Sequence, residues 1–312
     1  MVRKILNYLL KNSSLSTEAA KIKHLISRLD QESENTKMTL GKLHSKQVKS
    51  MEALENIQDA EFKIFSQWGD DGIIQYLINK IEIPNKTFIE FGVENYYEAN
   101  TRFLLMNDNW SGLVMDGSVE NVKQITNSEY YWKYDLTAIN AFIDLNNVEG
   151  LINSVNWGIE LGILSIDIDG NDYWIWEKIK NVNPIIVIIE YNSVLGIDKA
   201  WSVPYDDKFS RTQAHFSNLY YGASLLSLCD LAEEKGYYFV GCNSAGNNAY
   251  FVRKDKIGNI KILRPEEGYV TSKFKESRDE NGKLTYLKNI ERIQYLKGFE
   301  IINTRTRKTE RI

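Results

Sequence analysis

The sequence predicts an α/β fold: a Rossmann-like, mostly parallel sheet with an antiparallel hairpin at one edge and an N-terminal helical extension. Three observations predict it. Apolar strands alternate with amphipathic segments from Phe62 onward, which is the pattern of strands joined by covering helices. Two of these strands, Thr87-Phe-Ile-Glu-Phe-Gly and Gly112-Leu-Val-Met-Asp116, end in carboxylates about twenty residues apart, the spacing with which such sheets hold a nucleoside. The last two strands are joined by the polar turn Asn243-Ser-Ala-Gly-Asn247, which suits a hairpin rather than a helical crossover.

In chain order, residues 1–60 form a helical extension with no proline and one glycine, Gly41. Their apolar residues recur at helical spacing, Leu15, Ala19, Ile22, Ile26 and Leu29, then Leu40, Leu43, Met51, Leu54 and Ile57. So narrow a stripe suits a helical hairpin or a short coiled coil, and the polar stretch Glu32–Thr39 is a place for a turn or kink. The segment either packs on its own globular domain or makes a homo-oligomer. Val2, Ile5, Leu6, Leu9 and Leu10 share a face beside Arg3, Lys4 and Lys11, so a weak membrane-surface contact is a further reading.

Residues 61–255 carry the sheet. Predicted strands are 87–91, 112–116, 162–167, 185–190, 237–242 and 248–252, with helices at 71–81, 119–126, 138–146, 173–178 and 224–235. Residues 256–312 read as a helical appendage with a mobile basic end.

Composition narrows the function. The net charge of −4, with no basic block in the central region, offers no field for nucleic acid phosphates. Charged residues are 26% and hydrophobic residues 43%, the balance of a globular chain, and no apolar run reaches the length of a bilayer span. Cys229 and Cys242 match no zinc or redox spacing, so reduced thiols in a cytoplasmic compartment are expected.

Four acidic strand ends, Glu90, Asp116, Asp167 and Glu190, converge on one edge of a parallel sheet, where ligands of open α/β folds bind. The first turn, Glu90-Phe-Gly-Val-Glu94, has one glycine where a dinucleotide fingerprint has three. A pyrophosphate therefore lacks its cradle, and a phosphate-free adenosine ligand such as S-adenosyl-L-methionine is favoured.

These blocks, with Phe65-Ser-Gln-Trp-Gly-Asp-Asp-Gly, Ser165-Ile-Asp-Ile-Asp-Gly-Asn-Asp-Tyr and Ile188-Ile-Glu-Tyr-Asn, resemble the ordered motifs of the FkbM-like class I S-adenosylmethionine-dependent methyltransferases over residues 62–253. The resemblance implies a seven-stranded sheet and O-methylation of a sugar or related small metabolite in surface-glycan or natural-product biosynthesis. It implies that Glu90 and Gly92 line the methionine part, Asp116 holds the ribose and Asp135 approaches adenine, that Ser66 and Gln67 take the cofactor carboxylate, and that Glu94 and Asp167 also bind the cofactor. The chain departs from the family where Val93-Glu-Asn replaces further glycines.

Asp167-Ile-Asp-Gly-Asn-Asp172 packs three carboxylates into six residues. Either a hard ion such as Mg²⁺ or Mn²⁺ sits on Asp167, Asp169, Glu190 and Asn192, or the acids cap the helix beginning at Tyr173. Metal-dependent sugar O-methyltransferases resemble the first arrangement. Candidate bases are Asp169, Asp172 and His215, and candidate substrate contacts are Tyr191, Tyr220 and Tyr221. Two rivals stand beside this reading: a metal-dependent glycosyltransferase using Asp167-Ile-Asp169, and a non-catalytic helical scaffold of a biosynthetic complex.

Overall fold

The computed structural model describes residues 14–288 and 290–312, so the amphipathic face at Val2–Leu10 lies outside the described residues. The chain divides into two units, one ending at His44 and one running from Ser45 to Ile312. The described part of the first unit belongs to a 37-residue helix, Ser14–Ser50. The turn expected at Glu32–Thr39 does not form. Thr36 and Thr39 donate their hydroxyls back to the carbonyls of Glu32 and Asn35, which satisfies these polar side chains without breaking the helix. One continuous helix thus replaces the hairpin reading, and Ile22, Ile26, Leu29, Leu40 and Leu43 on it are 49–64% exposed.

The second unit is built on a seven-stranded sheet. Its strands are β1 (Thr87–Phe91), β2 (Ser111–Asp116), β3 (Leu136–Asn140), β4 (Glu160–Ile166), β5 (Asn183–Glu190), β7 (Tyr237–Cys242) and β8 (Asn248–Arg253). The order is β3-β2-β1-β4-β5-β8-β7, with β8 the single reversed strand. That is the arrangement of a Rossmann-like class I methyltransferase sheet, and the hairpin at its edge is β7–β8.

Period-two alternation buries both faces. Ile89 and Phe91, Leu113 and Met115, Leu164 and Ile166, and Val187 and Ile189 point into one core layer. Phe88, Val114, Ile163, Ile186 and Ile188 point into the other, beneath helix Asp70–Lys80. Helices Val119–Thr126, Asp172–Lys178 and Leu225–Lys235 match the sequence reading closely. The helix expected at 138–146 is instead strand β3 followed by a loop, because Ala138 and Ile139 extend the ladder begun at Leu136↔Gly112.

The tail also differs from its expected form. β9 (Glu300–Asn303) and β10 (Lys308–Arg311) make a hairpin that pairs with β6 (Trp201–Ser202). Asn303 accepts from the backbone N–H groups of Arg305 and Thr306 to shape the turn, and Arg305 grips Asp230 with two bonds of 2.6 and 2.9 Å. A basic sequence that reads as mobile is therefore ordered by pairing to segments distant in the chain. Among the described residues no helix is long and apolar enough to cross a membrane.

Candidate functional site

The strand order reverses between β1 and β4, and crossover loops part there to leave a crevice at the carboxyl ends of the strands. A cavity of about 410 Å³ fills it, walled by Gln67, Glu90, Gly92, Glu94, Asp167, Asp169, Glu190 and Arg211, with Trp68 and Phe274 at its aromatic end.

Glu90, at the end of β1, is 4% exposed. It accepts from the backbone N–H of Asn100 (2.8 Å) and of Thr101 (3.1 Å) and from the Thr101 hydroxyl. Burial pushes its carboxyl up to about 7 against the pull of these bonds. Gly92 follows at φ +71°, and a Cβ there would stand 1.6 Å from the Asp167 carbonyl oxygen. The first turn and the β4 end are thus in direct backbone contact.

The turn after β4 resolves the crowding of its acids by giving them different work. Asp172 is fully buried, its two oxygens accepting from the N–H groups of Ile168 and Gly170 at 2.9 Å each, so it shapes the turn and is withdrawn as a base. Asp169, at φ +57°, turns outward and receives Arg211 Nη1 at 2.9 Å. Asp167, Asp169 and Glu190 bring ligand atoms within 4.8 Å of one another. Burial and the neighbouring carboxylates hold Asp167 and Glu190 well above the usual carboxylate range. Glu190 is 6% exposed, and its Oε2 has no hydrogen-bond partner. Asn192 is not part of this cluster. Its amide donates to the carbonyls of Leu219 and Tyr221 and its oxygen caps Val194, so the β5 end spends it on holding a loop.

The Phe65–Gly69 loop is set by two acids the sequence reading did not single out. Asp71 accepts from the N–H groups of Ile64, Phe65 and Ser66 at 2.7–2.9 Å and from the Ser66 hydroxyl. Burial pushes its carboxyl up to about 6. Asp70 Oδ1 accepts from Asn243, Asn248 and Tyr250, tying the same helix start to β8. Ser66 is consequently buried and turned inward, while Gln67 reaches the cavity.

Other expected residues fall outside the cavity wall. Asp116 stands at the end of β2, its Oδ1 accepting from Ser118 N–H and Asn121 Nδ2. Asp135 precedes β3 rather than following it and binds Ser111 at the start of β2, which puts it at the opposite edge of the sheet. It stands apart from the crevice at the carboxyl ends, because β3 begins after it. His215 pairs with Ser217 at 2.6 Å and packs on Phe216 and Phe299, outside the cavity, with burial lowering its proton affinity. Tyr191 is buried with its hydroxyl donating to Val270, and Tyr221 is buried beneath the Arg211 guanidinium at 3.7 Å. Tyr220 lines a separate and larger cavity of about 810 Å³, shared with Tyr205 and Phe209.

Arg211, Asn247, Asn248, Phe274 and Glu276 also stand in the wall, and none is a site residue that the sequence singles out. Arg211 and His215 occupy one loop with equal apparent promise, and only folding separates them. Phe274 and Glu276 come from the tail, with Phe274 stacked on Trp68 at 6.3 Å.

No family model matches the chain, and no curated protein matches it. Among solved structures it is similar to the N-terminal domain of EvdMO1 in the presence of SAH and D-fucose, at TM-score 0.39 and 13% identity over 67% of this chain and 91% of that one. It is similar also to the O-methyltransferase from Bacillus cereus in complex with SAH, at TM-score 0.36 and 14% identity over 54% and 74%. The Methanococcus jannaschii fibrillarin pre-rRNA processing protein gives TM-score 0.37 and 10% identity over 59% and 76%. The fold assignment rests on the strand order, not on these scores.

Proposed function

We propose that the chain is an S-adenosylmethionine-dependent O-methyltransferase that methylates a sugar or related small polar metabolite, in surface-glycan or natural-product biosynthesis. The observation that supports it best is the charge of the crevice. Glu90 and Glu190 are buried and Asp167 is half-buried, with one Glu190 carboxylate oxygen unpartnered, beside a backbone approach that only glycine permits. Such a wall complements a ligand that carries positive charge and no phosphate, as the sulfonium and ammonium of S-adenosylmethionine do.

In the reaction the acceptor oxygen attacks the methyl carbon in line as the carbon–sulfur bond breaks. The electron pair goes to sulfur, leaving neutral S-adenosylhomocysteine, and the acceptor proton passes to a carboxylate. Asp167 and Glu190, whose burial raises their proton affinity, take that proton as a pair, and Asp169 faces the acceptor from the rim. Asp167, Asp169 and Glu190 also fit a hard divalent ion, which would supply charge to orient a diol and lower its proton affinity. Calorimetric titration with S-adenosylhomocysteine tests the reading: saturable one-to-one binding is expected, and none by folded protein overturns it.

The N-terminal helix supports self-association. Ile22, Leu29 and Leu43 with Ile26 and Leu40 keep heptad positions d and a, broken only by Ser33 and Thr36. A parallel second copy in register faces Glu32 of one chain with Lys37 of the other and matches the polar layer to itself. Free thiols at Cys229 and Cys242 support a cytoplasmic placement.

A further inference from the structure

Arg211 occupies a singular position. Its guanidinium carbon lies over the Tyr221 ring, 3.7 Å from the ring centre, its Nε donates to the Asn218 carbonyl at 3.0 Å, and its Nη1 donates to Asp169 Oδ1 at 2.9 Å. The side chain is 16% exposed while that of Asp169 is 61% exposed, so the arginine is the fixed member of the pair and the aspartate the one open to the cavity mouth. On its other side Nη2 stands 3.8 Å from Glu276 Oε2, a distance short of a hydrogen bond. Glu276 is itself held by Asn218 and Arg278. The guanidinium therefore has two carboxylate seats, one made and one half-made, with stacking and the Asn218 bond common to both.

Only one of the three clustered acids has that cation as a hydrogen-bond partner. Arg211 bonds Asp169, whereas Glu190 Oε2, nine-tenths buried and walling the same cavity, has no partner. The charge-assisted bond to Asp169 Oδ1 draws on the negative charge of a carboxylate that a hard cation in the cluster would share. We propose that Arg211 is the resident counter-ion of the Asp167–Asp169–Glu190 cluster and competes with a divalent cation for Asp169, moving to Glu276 when the ion binds. The proposal rests on the reading of this cluster as a divalent-ion site. It makes Arg211 a specificity-determining residue: an ion enters only when its gain exceeds the lost Arg211–Asp169 bond, which sets a threshold concentration for loading.

The experiment is titration of the full chain with Mn²⁺, free ion being read by its electron paramagnetic resonance signal, in wild type, Arg211→Met, Glu276→Gln and Glu190→Gln. Arg211→Met keeps an unbranched apolar stem over Tyr221 and frees Asp169, so Mn²⁺ binds at least about tenfold tighter, the worth of one charged hydrogen bond. Glu276→Gln leaves every proposed ligand intact and removes the second seat, so binding weakens severalfold. Binding by wild type that is unchanged or weaker in Arg211→Met overturns the competition while leaving the ion site standing. Should Arg211→Met fail to fold, unchanged binding in Glu276→Gln overturns it equally. Persistence of binding in Glu190→Gln, or no binding by wild type and Arg211→Met alike, removes the ion site and the competition together.

Discussion

The carbonyl oxygen of Asp167 lies where the side chain of residue 92 would begin, and glycine alone lets β1 and β4 close to that contact. Gly92→Ala adds a methyl 1.6 Å from this oxygen at φ +71°, so the two turns must part. We expect a stability loss of about 2 to 4 kcal/mol and no measurable S-adenosylhomocysteine affinity. Thermal melts with calorimetry check it, and an alanine variant that binds normally would refute the contact.

Cofactor affinity follows the ionisation of the crevice. The sulfonium of S-adenosylmethionine prefers ionised carboxylates, and burial has raised Glu90 to about 7 and Asp167 and Glu190 above their ordinary range. Its affinity therefore rises between pH 6 and 8, roughly as far as binding expels a proton. S-adenosylhomocysteine carries no sulfonium and rises less; equal slopes for the two ligands would contradict the charge argument.

Glu90 also links pH to stability. Its folded pKa, about 7, lies above the ordinary value of 4.5, so the folded state holds a proton that the unfolded chain releases. Its contribution to stability is full below pH 4.5 and falls as pH rises toward 7. Glu90→Gln abolishes this part of the decline. Denaturant midpoints from pH 5 to 8 measure it, and parallel curves for the two proteins would remove Glu90 as its source.

Asp71 acts on the cavity through Gln67 and Trp68. Asp71→Asn replaces an anionic acceptor of three backbone N–H groups by a neutral one, with an expected cost of about 2 to 4 kcal/mol. Weaker S-adenosylhomocysteine binding below the melting range, with normal far-ultraviolet dichroism, separates loop disorder from global unfolding. Unchanged affinity would show that the loop does not contact the cofactor.

Because His215 stands outside the crevice, His215→Ala leaves turnover within about threefold of wild type, whereas loss of a general base costs about a hundredfold or more. The larger loss, with wild-type stability, would return the histidine to the chemistry. For the helix, sedimentation at micromolar concentration gives a dimer that Ile26→Asp and Leu29→Asp reduce to monomer, and a wild-type monomer would exclude the coiled coil.

Much of the fold is legible in the sequence because strand periodicity and acidic tips are local signals. Thr87–Phe91 and Tyr237–Cys242 were read to the residue, and Glu90, Gly92, Asp167 and Glu190 meet at one crevice as their strand ends require. β3 escaped because its Leu-Thr-Ala-Ile-Asn is short and only half-buried, and with it Asp135 was carried to the wrong end of the sheet.

Strand ends, the single-glycine turn and the apolar helical stripe are local properties, since each depends on neighbours within a few residues. Tertiary structure alone decided which acids are free and which are spent. Asp172 and Asn192 are consumed by backbone partners, Asp169 is claimed by Arg211 from 42 positions away, and Glu276 of the tail closes the same wall. Local pattern places a carboxylate at a strand end; only packing settles what its oxygens touch.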